Sequence, residues 1–273
     1  MTKAYIMNRK ILPASIFIFL FSFSSYAQIL HYENFAVILD TTKHVKGNVV
    51  PSFQFQNLKE DLIKFENTAD FSLLFGKNAM TIANKVELSR FGEETFESGG
   101  YLYIEYRRIQ DTLPFALEPY FQAHWNEVRG LDRKYAAGIN LRWRVLYKKN
   151  SGIFAGIGPF YEFETWDYRG VPDSEAIPNP ANPITRELVR LGSYVSYKQR
   201  LADKFLLDFS IYYQDDIQNL FQVPRAGSSS RITYKLTKYL GLTLLYQNMY
   251  DPNPVVPIDK LYHNVTFSFS INI

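Results

Sequence analysis

The 273-residue chain contains no cysteine, so it has neither a disulfide framework nor a thiolate metal site. After residue 27 it also lacks any apolar run of the roughly 20 residues that a membrane-spanning helix needs. Its formal net charge is only +3, too small an excess to predict binding to nucleic acid. Its four histidines are scattered and form no H-E-x-x-H zinc motif. These absences argue against a disulfide-rich domain, a helical membrane protein, a nucleic-acid-binding protein and a zinc hydrolase.

Aromatic residues, by contrast, are abundant. The chain has 22 phenylalanines and 20 tyrosines, yet 21% of its residues are charged. Its mean hydropathy is slightly negative. Such a composition fits a transmembrane β-barrel, in which every second residue of a strand can be polar.

The first 27 residues have the three parts of a secretory signal peptide. Basic residues lie within 1–10, an apolar run covers 11–23, and Ser25 and Ala27 form an A-x-A-like cleavage site. We expect cleavage after Ala27. The alternative, an N-terminal membrane anchor, is disfavoured because the apolar run is shorter than a spanning helix.

The end of the chain, residues 264–273, alternates strictly between apolar and polar side chains. Val265 and Phe267 point to one side of the predicted strand, and Thr266 and Ser268 point to the other. The same alternation recurs about a dozen times along the chain. The predicted strands cover 47–57, 62–75, 79–90, 99–109, 115–127, 134–147, 152–166, 186–199, 204–215, 225–237, 240–250 and 262–273.

These strands are long enough to cross a membrane. A tilted transmembrane strand needs about 9–11 residues, whereas strands of soluble proteins are most often about 5–6 residues long. The sequence therefore predicts an all-β fold, a single transmembrane antiparallel up-and-down β-barrel of about 12 strands over residues 47–273. An exported soluble β-protein is the alternative fold.

The connections between these strands alternate in length. Short links such as 148–151 and 238–239 alternate with longer ones such as 167–185 and 251–260. Bacterial barrels place tight turns in the periplasm and longer loops outside the cell. We therefore expect Ile273 to lie in the periplasm and the 167–185 loop to lie outside the cell. Residues 28–46 are predicted to form a periplasmic N-terminal segment, with a segment folded into the lumen or a poorly ordered tail as alternatives.

Alternation also assigns charged side chains to the lumen, because charge on the lipid side is costly. The two signs nearly balance. The charges therefore either pair within a filled lumen or line a wet channel for small solutes, and we favour the filled lumen. The predicted lumen-lining residues are Lys64, Glu66, Asp70, Lys85, Glu87, Glu105, Arg107, Glu118, His124, Arg142, Arg144, Glu162, Glu164, Arg190, Asp208 and Arg231.

Prolines interrupt three of the predicted strands. Pro51, Pro119 and Pro159 cannot donate to a ladder, so we expect a bulge or a strand end at each. Gly156 and Gly158 precede the last of them and indicate a close approach of two backbones. No helix follows these glycines, so the pair is not a nucleotide-binding loop.

Five segments carry a resemblance to a known family: 49–55, 99–106, 152–162, 190–197 and 246–254. Through them the mature chain resembles the salt-induced outer membrane protein family, catalogued as domain of unknown function 481. The resemblance covers most of residues 45–273. It implies a barrel in the Gram-negative outer membrane, and it supplies neither a reaction nor catalytic residues.

The last strand also resembles the C-terminal signal that the barrel-assembly machinery recognises. Phe267, Phe269, Ile271 and Ile273 supply its alternating apolar residues, although Ile273 stands where phenylalanine is usual. The expected partners are outer-membrane lipid and, during biogenesis, this machinery. Small solutes are a further candidate, and nucleic acid is not expected.

The sequence predicts no catalytic residue, no metal site and no cofactor. A hydrolase at the barrel rim would need a serine or aspartate beside a histidine. His124 and Glu118 share the inner face of one strand, but six residues of strand separate them by about 20 Å. The favoured function is a structural or loop-mediated barrel, followed by a small-solute channel and then by a rim hydrolase.

Overall fold

The computed structural model describes residues 44–57, 61–91, 94–108, 113–202 and 204–272. The predicted signal peptide, its cleavage after Ala27, nearly all of the 28–46 segment and Ile273 of the predicted assembly signal lie outside these ranges. No helix in the described ranges has the length and apolar character of a membrane span.

Twelve antiparallel strands form one closed barrel in the described part of the chain, and each strand pairs with its neighbours in sequence. The predicted fold class is therefore confirmed. The strands are 11 to 18 residues long. They are β1 (Val45–Asn57), β2 (Asp61–Phe75), β3 (Asn78–Phe91), β4 (Glu94–Arg108), β5 (Phe115–Asn126), β6 (Leu131–Lys148), β7 (Ser151–Trp166), β8 (Ile184–Leu201), β9 (Phe205–Asp216), β10 (Arg225–Lys235), β11 (Leu240–Tyr250) and β12 (Leu261–Asn272).

Burial alternates along the strands as their sequences do. In β9, Phe209 and Ile211 are exposed on the outer wall, while Ser210 and Tyr212 are buried inside. Since successive side chains of a strand point to opposite faces, this pattern leaves an apolar outer wall around a polar interior.

The two ends of the barrel differ. The turn end carries both chain termini of the barrel and short links such as Gly76–Lys77, where Gly76 has the positive φ of 60° that glycine adopts without strain. The loop end carries the longer connections 167–183, 217–224 and 251–260, together with a short 3-10 helix, Glu127–Arg129.

The expectation of a bulge or strand end at each proline is wrong, because Pro51, Pro119 and Pro159 all lie inside strands and no register shift occurs at any of them. Pro51 pairs with Asn67, and Pro119 pairs with Ile139, both without a shift of register. A proline removes only one donor, so the pairs on either side can hold the register. The register shifts that do occur lie nearer the strand ends, as between His124 and Asn126.

At Pro159 the ladder is interrupted without losing its register. Gly138 pairs with Phe160 and Leu141 with Ile157, but the two residues between them on β6 have no partner on β7. A Cβ atom on Gly158 would collide with the carbonyl oxygen of Ile139. The two backbones therefore approach each other closely here, as the glycines predicted.

Candidate functional site in the barrel lumen

Four buried charges of the described residues meet inside the barrel, and we call them the middle network: Glu105, Arg107, Glu118 and Arg142. Arg107 binds Glu105 at 2.8 Å and also contacts Oε1 of Glu118. Nη1 of Arg142 lies 3.3 Å from the same Glu118 oxygen. Tyr194 on β8 donates a 2.8 Å hydrogen bond to the other oxygen of Glu118. Two positive and two negative groups therefore balance each other inside the barrel.

A second group, the loop-end network, is organised by two neighbouring glutamates on the inner face of β7. Glu162 and Glu164 are almost completely buried. Four cations from three strands surround them, and Asp251 joins them from the 251–260 loop. The cations are Lys134 on β6, Arg186 and Arg190 on β8, and Arg225 on β10.

Arg225 connects the members of the loop-end network. Its guanidinium lies 2.9 Å from Glu162, 3.2 Å from Glu164 and 2.7 Å from Asp251. Arg190 donates to Glu162 at 2.8 Å. Because β10 and β7 are separated by two strands, the contacts of Arg225 extend across the lumen.

A layer of buried aromatic rings lies beside these charges. The rings of Tyr103 and Tyr120 are 6.1 Å apart between centroids, and those of Tyr194 and Tyr212 are 6.4 Å apart. The hydroxyl of Tyr103 donates to Glu105 at 2.7 Å, so the rings and the charges form one packed interior. The aromatic layer consists of Tyr101, Tyr103, Tyr120, Phe160, Tyr194 and Tyr212.

The side of the lumen lined by β1–β3 and β10–β12 is less densely packed. Lys85 lies 3.2 Å from Glu66 and also contacts Glu87. Arg231 on β10 reaches Asp70 on β2 at 3.7 Å. The charged side chains of this region are mainly half-buried, whereas those of the middle network are buried. The lumen is therefore asymmetric.

The loop end is covered by an apolar cluster, which we call the cap: Leu131, Trp166, Val171, Val256 and Ile258. Val171 comes from the 167–183 connection, and Val256 and Ile258 come from 251–260. Nε1 of Trp166 donates to Glu164 at 3.1 Å and so joins the cap to the loop-end network. Two of the longer connections therefore fold over the mouth of the barrel.

Arg129 lies beside the cap, in the short 3-10 helix. Its guanidinium sits 3.5 Å from the centre of the Tyr262 ring, and burial lowers the pKa of this arginine from its ordinary value.

Other predicted residues lie away from these networks. Asp208 pairs with Lys198 at 3.0 Å toward the turn end. Arg144, also toward the turn end, is half-buried, and its Nη2 donates to the carbonyl of Leu113 at 2.8 Å. Lys64 is half-buried on the inner face of β2.

The structure does not bring His124 and Glu118 together. Glu118 is bound by Arg107, Arg142 and Tyr194. His124 is buried next to Lys134 on the neighbouring strand, and its Nε2 has no hydrogen-bond partner among the described residues. Nor does the described part of the chain hold a group of three or more His, Cys, Asp or Glu side chains suited to a metal ion.

Sequence reasoning missed several members of the loop-end network. Three of them, Lys134, Arg186 and Arg225, each lie an even number of residues from a predicted inward residue on the same strand. Because such residues share a face, the alternation did indicate that these side chains point into the lumen. Arg129 and Asp251 lie outside the strands, where no alternation indicates direction.

No family model and no curated protein matches the chain. Solved structures with a similar fold include NanC porin, with 12% identity and a TM-score of 0.41, covering 84% of this chain and 97% of that one. KdgM porin has 9% identity and a TM-score of 0.42, covering 84% and 96%. CdiB from Acinetobacter baumannii has 13% identity and a TM-score of 0.47, covering 79% and 40%. These likenesses concern the fold alone, and the resemblance to the salt-induced outer membrane protein family stays a prediction.

Proposed function

We propose that this chain is an outer-membrane barrel of a Gram-negative bacterium, with a lumen that is filled and charge-paired. It acts as a structural component or through its outer loops, and it does not conduct solutes. The observation that carries this proposal is that side chains of non-adjacent strands meet inside the barrel, as Tyr194 meets Glu118 and Arg225 meets Glu162.

The distribution of polarity supports the membrane position. Exposed apolar side chains such as Phe209, Ile211 and Leu141 cover the outer wall, while the middle network lies inside. In water this outer wall would be a very large apolar patch, which soluble monomers rarely expose. In a bilayer it faces hydrocarbon. The proposal includes export by the N-terminal signal peptide and insertion by the barrel-assembly machinery, for which Phe267, Phe269 and Ile271 lie on the outer face of β12.

Electrostatics supports the filled lumen. A buried charge is stable only when it is paired or hydrated. Glu118, Glu162 and Glu164 each contact at least two cations. These carboxylates are compensated by the protein itself, and they act as cross-links between strands.

Single-channel recording in planar lipid bilayers tests the proposal. We expect no discrete conductance steps from the mature protein once circular dichroism and resistance to protease have confirmed its folding. A matched variant, Tyr120→Ala with Tyr194→Ala and Tyr212→Ala, empties part of the aromatic layer. It serves as the positive control, because steps from this variant show that the assay detects an opened barrel. Steps of similar size from the wild type would disprove the closed lumen.

The second candidate function is a small-solute channel, and one observation favours it. Polar residues on the inner faces of β1–β3 and β10–β12, including Thr68, Gln247 and Thr266, are only half-buried. If ions pass along this side, Lys85→Glu changes the ratio of cation to anion permeability. If the lumen is closed, the same variant alters only stability. A rim hydrolase has no comparable support in the described residues.

A further inference from the structure

The two strands that close the barrel are joined by a short ladder. In the described residues, β1 and β12 pair through Asn48 with Asn272 and Val49 with Ile271. The neighbouring strands β4 and β5 share seven residue pairs, and the other neighbours share more. In the same register, residues 50–57 of β1 would face residues 263–270 of β12, but none of these pairs forms. The ladder therefore ends near the turn end, and the two strand edges part toward the loop end.

Side-chain exposure supports this separation. Phe53 of β1 is 67% exposed, and Phe267 of β12 is 68% exposed. Outward residues of a strand that is paired on both sides are less exposed, with 43% for Phe209 and 51% for Ile211 on β9. An outward side chain loses cover when its neighbouring strand is absent, so these values mark an open seam on the outer wall.

The sequence of the two edges leaves them without charged residues. Pro51 lies two positions beyond the last paired residue of β1. Proteins usually guard a free strand edge with charged side chains. Residues 50–57 and 263–270 contain no Asp, Glu, Lys or Arg.

We propose that this seam accepts an added β-strand from another polypeptide, one whose side chains alternate between apolar and polar. The inference rests on the proposed membrane position, but it does not depend on a closed lumen. Hydrocarbon offers no water to an unpaired backbone N–H or C=O, so each unpaired group along these edges is strongly unfavourable there.

The unpaired backbone groups determine which kind of molecule can bind at the seam. An acyl chain covers Phe53 and Phe267 but supplies no hydrogen bonds. An extended peptide pairs with the backbone groups of the edge and continues the apolar outer wall with its alternate side chains. The partner is therefore a strand, and lipid alone is the competing outcome.

The open seam itself is tested with paired cysteines, which the cysteine-free chain permits. Phe53→Cys with Phe267→Cys probes the β1–β12 side. Leu244→Cys with Phe267→Cys is the matched control, because Leu244 and Phe267 are partners in the β11–β12 ladder. In protein refolded into lipid vesicles, we expect the control disulfide to form at least tenfold faster. Equal rates would mean that the seam is closed and would overturn the proposal.

Strand addition is tested with a synthetic peptide of the β12 sequence, residues 261–272, with cysteine in place of Phe267. In the register of the β1–β12 ladder, this cysteine lies opposite residue 53. The protein carries Phe53→Cys, and Phe209→Cys is the control, since Phe209 pairs on both sides with Tyr197 and Ser230. We expect several-fold more disulfide adduct at position 53, and less with a scrambled peptide of the same composition. Equal amounts of adduct at positions 53 and 209, or with the β12 peptide and the scrambled peptide, would mean that the peptide binds nonspecifically to an apolar surface. Either result would overturn the proposal.

Discussion

The hydroxyl of Tyr194 donates a 2.8 Å hydrogen bond to Oε2 of Glu118, from strand β8 to strand β5 across the lumen. The other carboxylate oxygen of Glu118 is shared by Arg107 on β4 and Arg142 on β6. Glu118 is completely buried, and both of its carboxylate oxygens contact protein groups. A single glutamate thus joins four strands of the barrel.

Replacing Glu118 should therefore destabilise the barrel strongly. Glu118→Gln leaves Arg107 and Arg142 with Glu105 as the remaining carboxylate of the middle network. Breaking a buried ion pair costs about 3–5 kcal/mol. The measurement is the free energy of unfolding by urea in lipid vesicles. A loss below about 1 kcal/mol, the range of exposed pairs, would show that the middle network is hydrated.

Tyr194→Phe isolates the contact that crosses the lumen. Removing a hydrogen bond to a charged group costs about 1.5–3 kcal/mol. Tyr161→Phe is the matched control, because the Tyr161 hydroxyl donates to Glu187 at 2.7 Å outside the lumen, at the loop end of β8, where interfacial water can replace the bond. We expect the control to lose much less stability in the same urea titration. Equal losses would contradict a special role for the interior hydrogen bond.

Two arginines that look equivalent in the sequence should respond differently. Arg142 is buried against Glu118 and near the ring of Phe154, whereas Arg144 is half-buried toward the turn end. Arg142→Gln should lower the midpoint of thermal unfolding in detergent by several degrees, and Arg144→Gln should change it little. An equal decrease for both variants would mean that burial does not separate their roles.

The strands and the direction of their side chains were predictable because both depend on a local period of two residues. The order of the strands followed from the short links between consecutive ones. Residues such as Asp208 and Ile211 show their face through the neighbours on their own strand. The loop-end network was only partly predictable. Glu162 and Arg225 are distant in sequence, and the curvature that closes the barrel brings them together.

The short β1–β12 ladder was not predictable from the pattern. Residues 262–273 alternate as regularly as any strand, and alternation reports which face is buried, not whether a neighbour is paired. Pro51 marked β1 as unusual, but the expected bulge did not occur there. The effect of the absent backbone N–H of Pro51 depends on whether that position faces β2 or β12. The sequence pattern does not show which of the two it faces.

Glycines on the inner face should control the packing of the lumen. A Cβ atom on Gly156 would collide with the ring of Tyr194, whereas one on Gly192 would lie 3.3 Å from Cε1 of Phe160. Gly156→Ala should therefore displace Tyr194, weaken its bond to Glu118 and cost about 1–3 kcal/mol through overpacking. Gly192→Ala should cost clearly less in the same urea titration. If Gly156→Ala is neutral, the ring of Tyr194 moves freely and the aromatic layer is not rigid.

A charge on the outer wall tests whether that wall faces hydrocarbon. Ile211 lies in the middle of β9 and Leu201 at the last position of β8, and both are exposed on the outside. Lysine on the lipid face costs about 2–4 kcal/mol at the midplane and about 0–1 kcal/mol near the interface. Ile211→Lys should therefore destabilise the barrel in vesicles far more than Leu201→Lys, as measured by urea unfolding. In water both positions would tolerate lysine alike, so equal effects would refute the membrane position on which the proposed function depends.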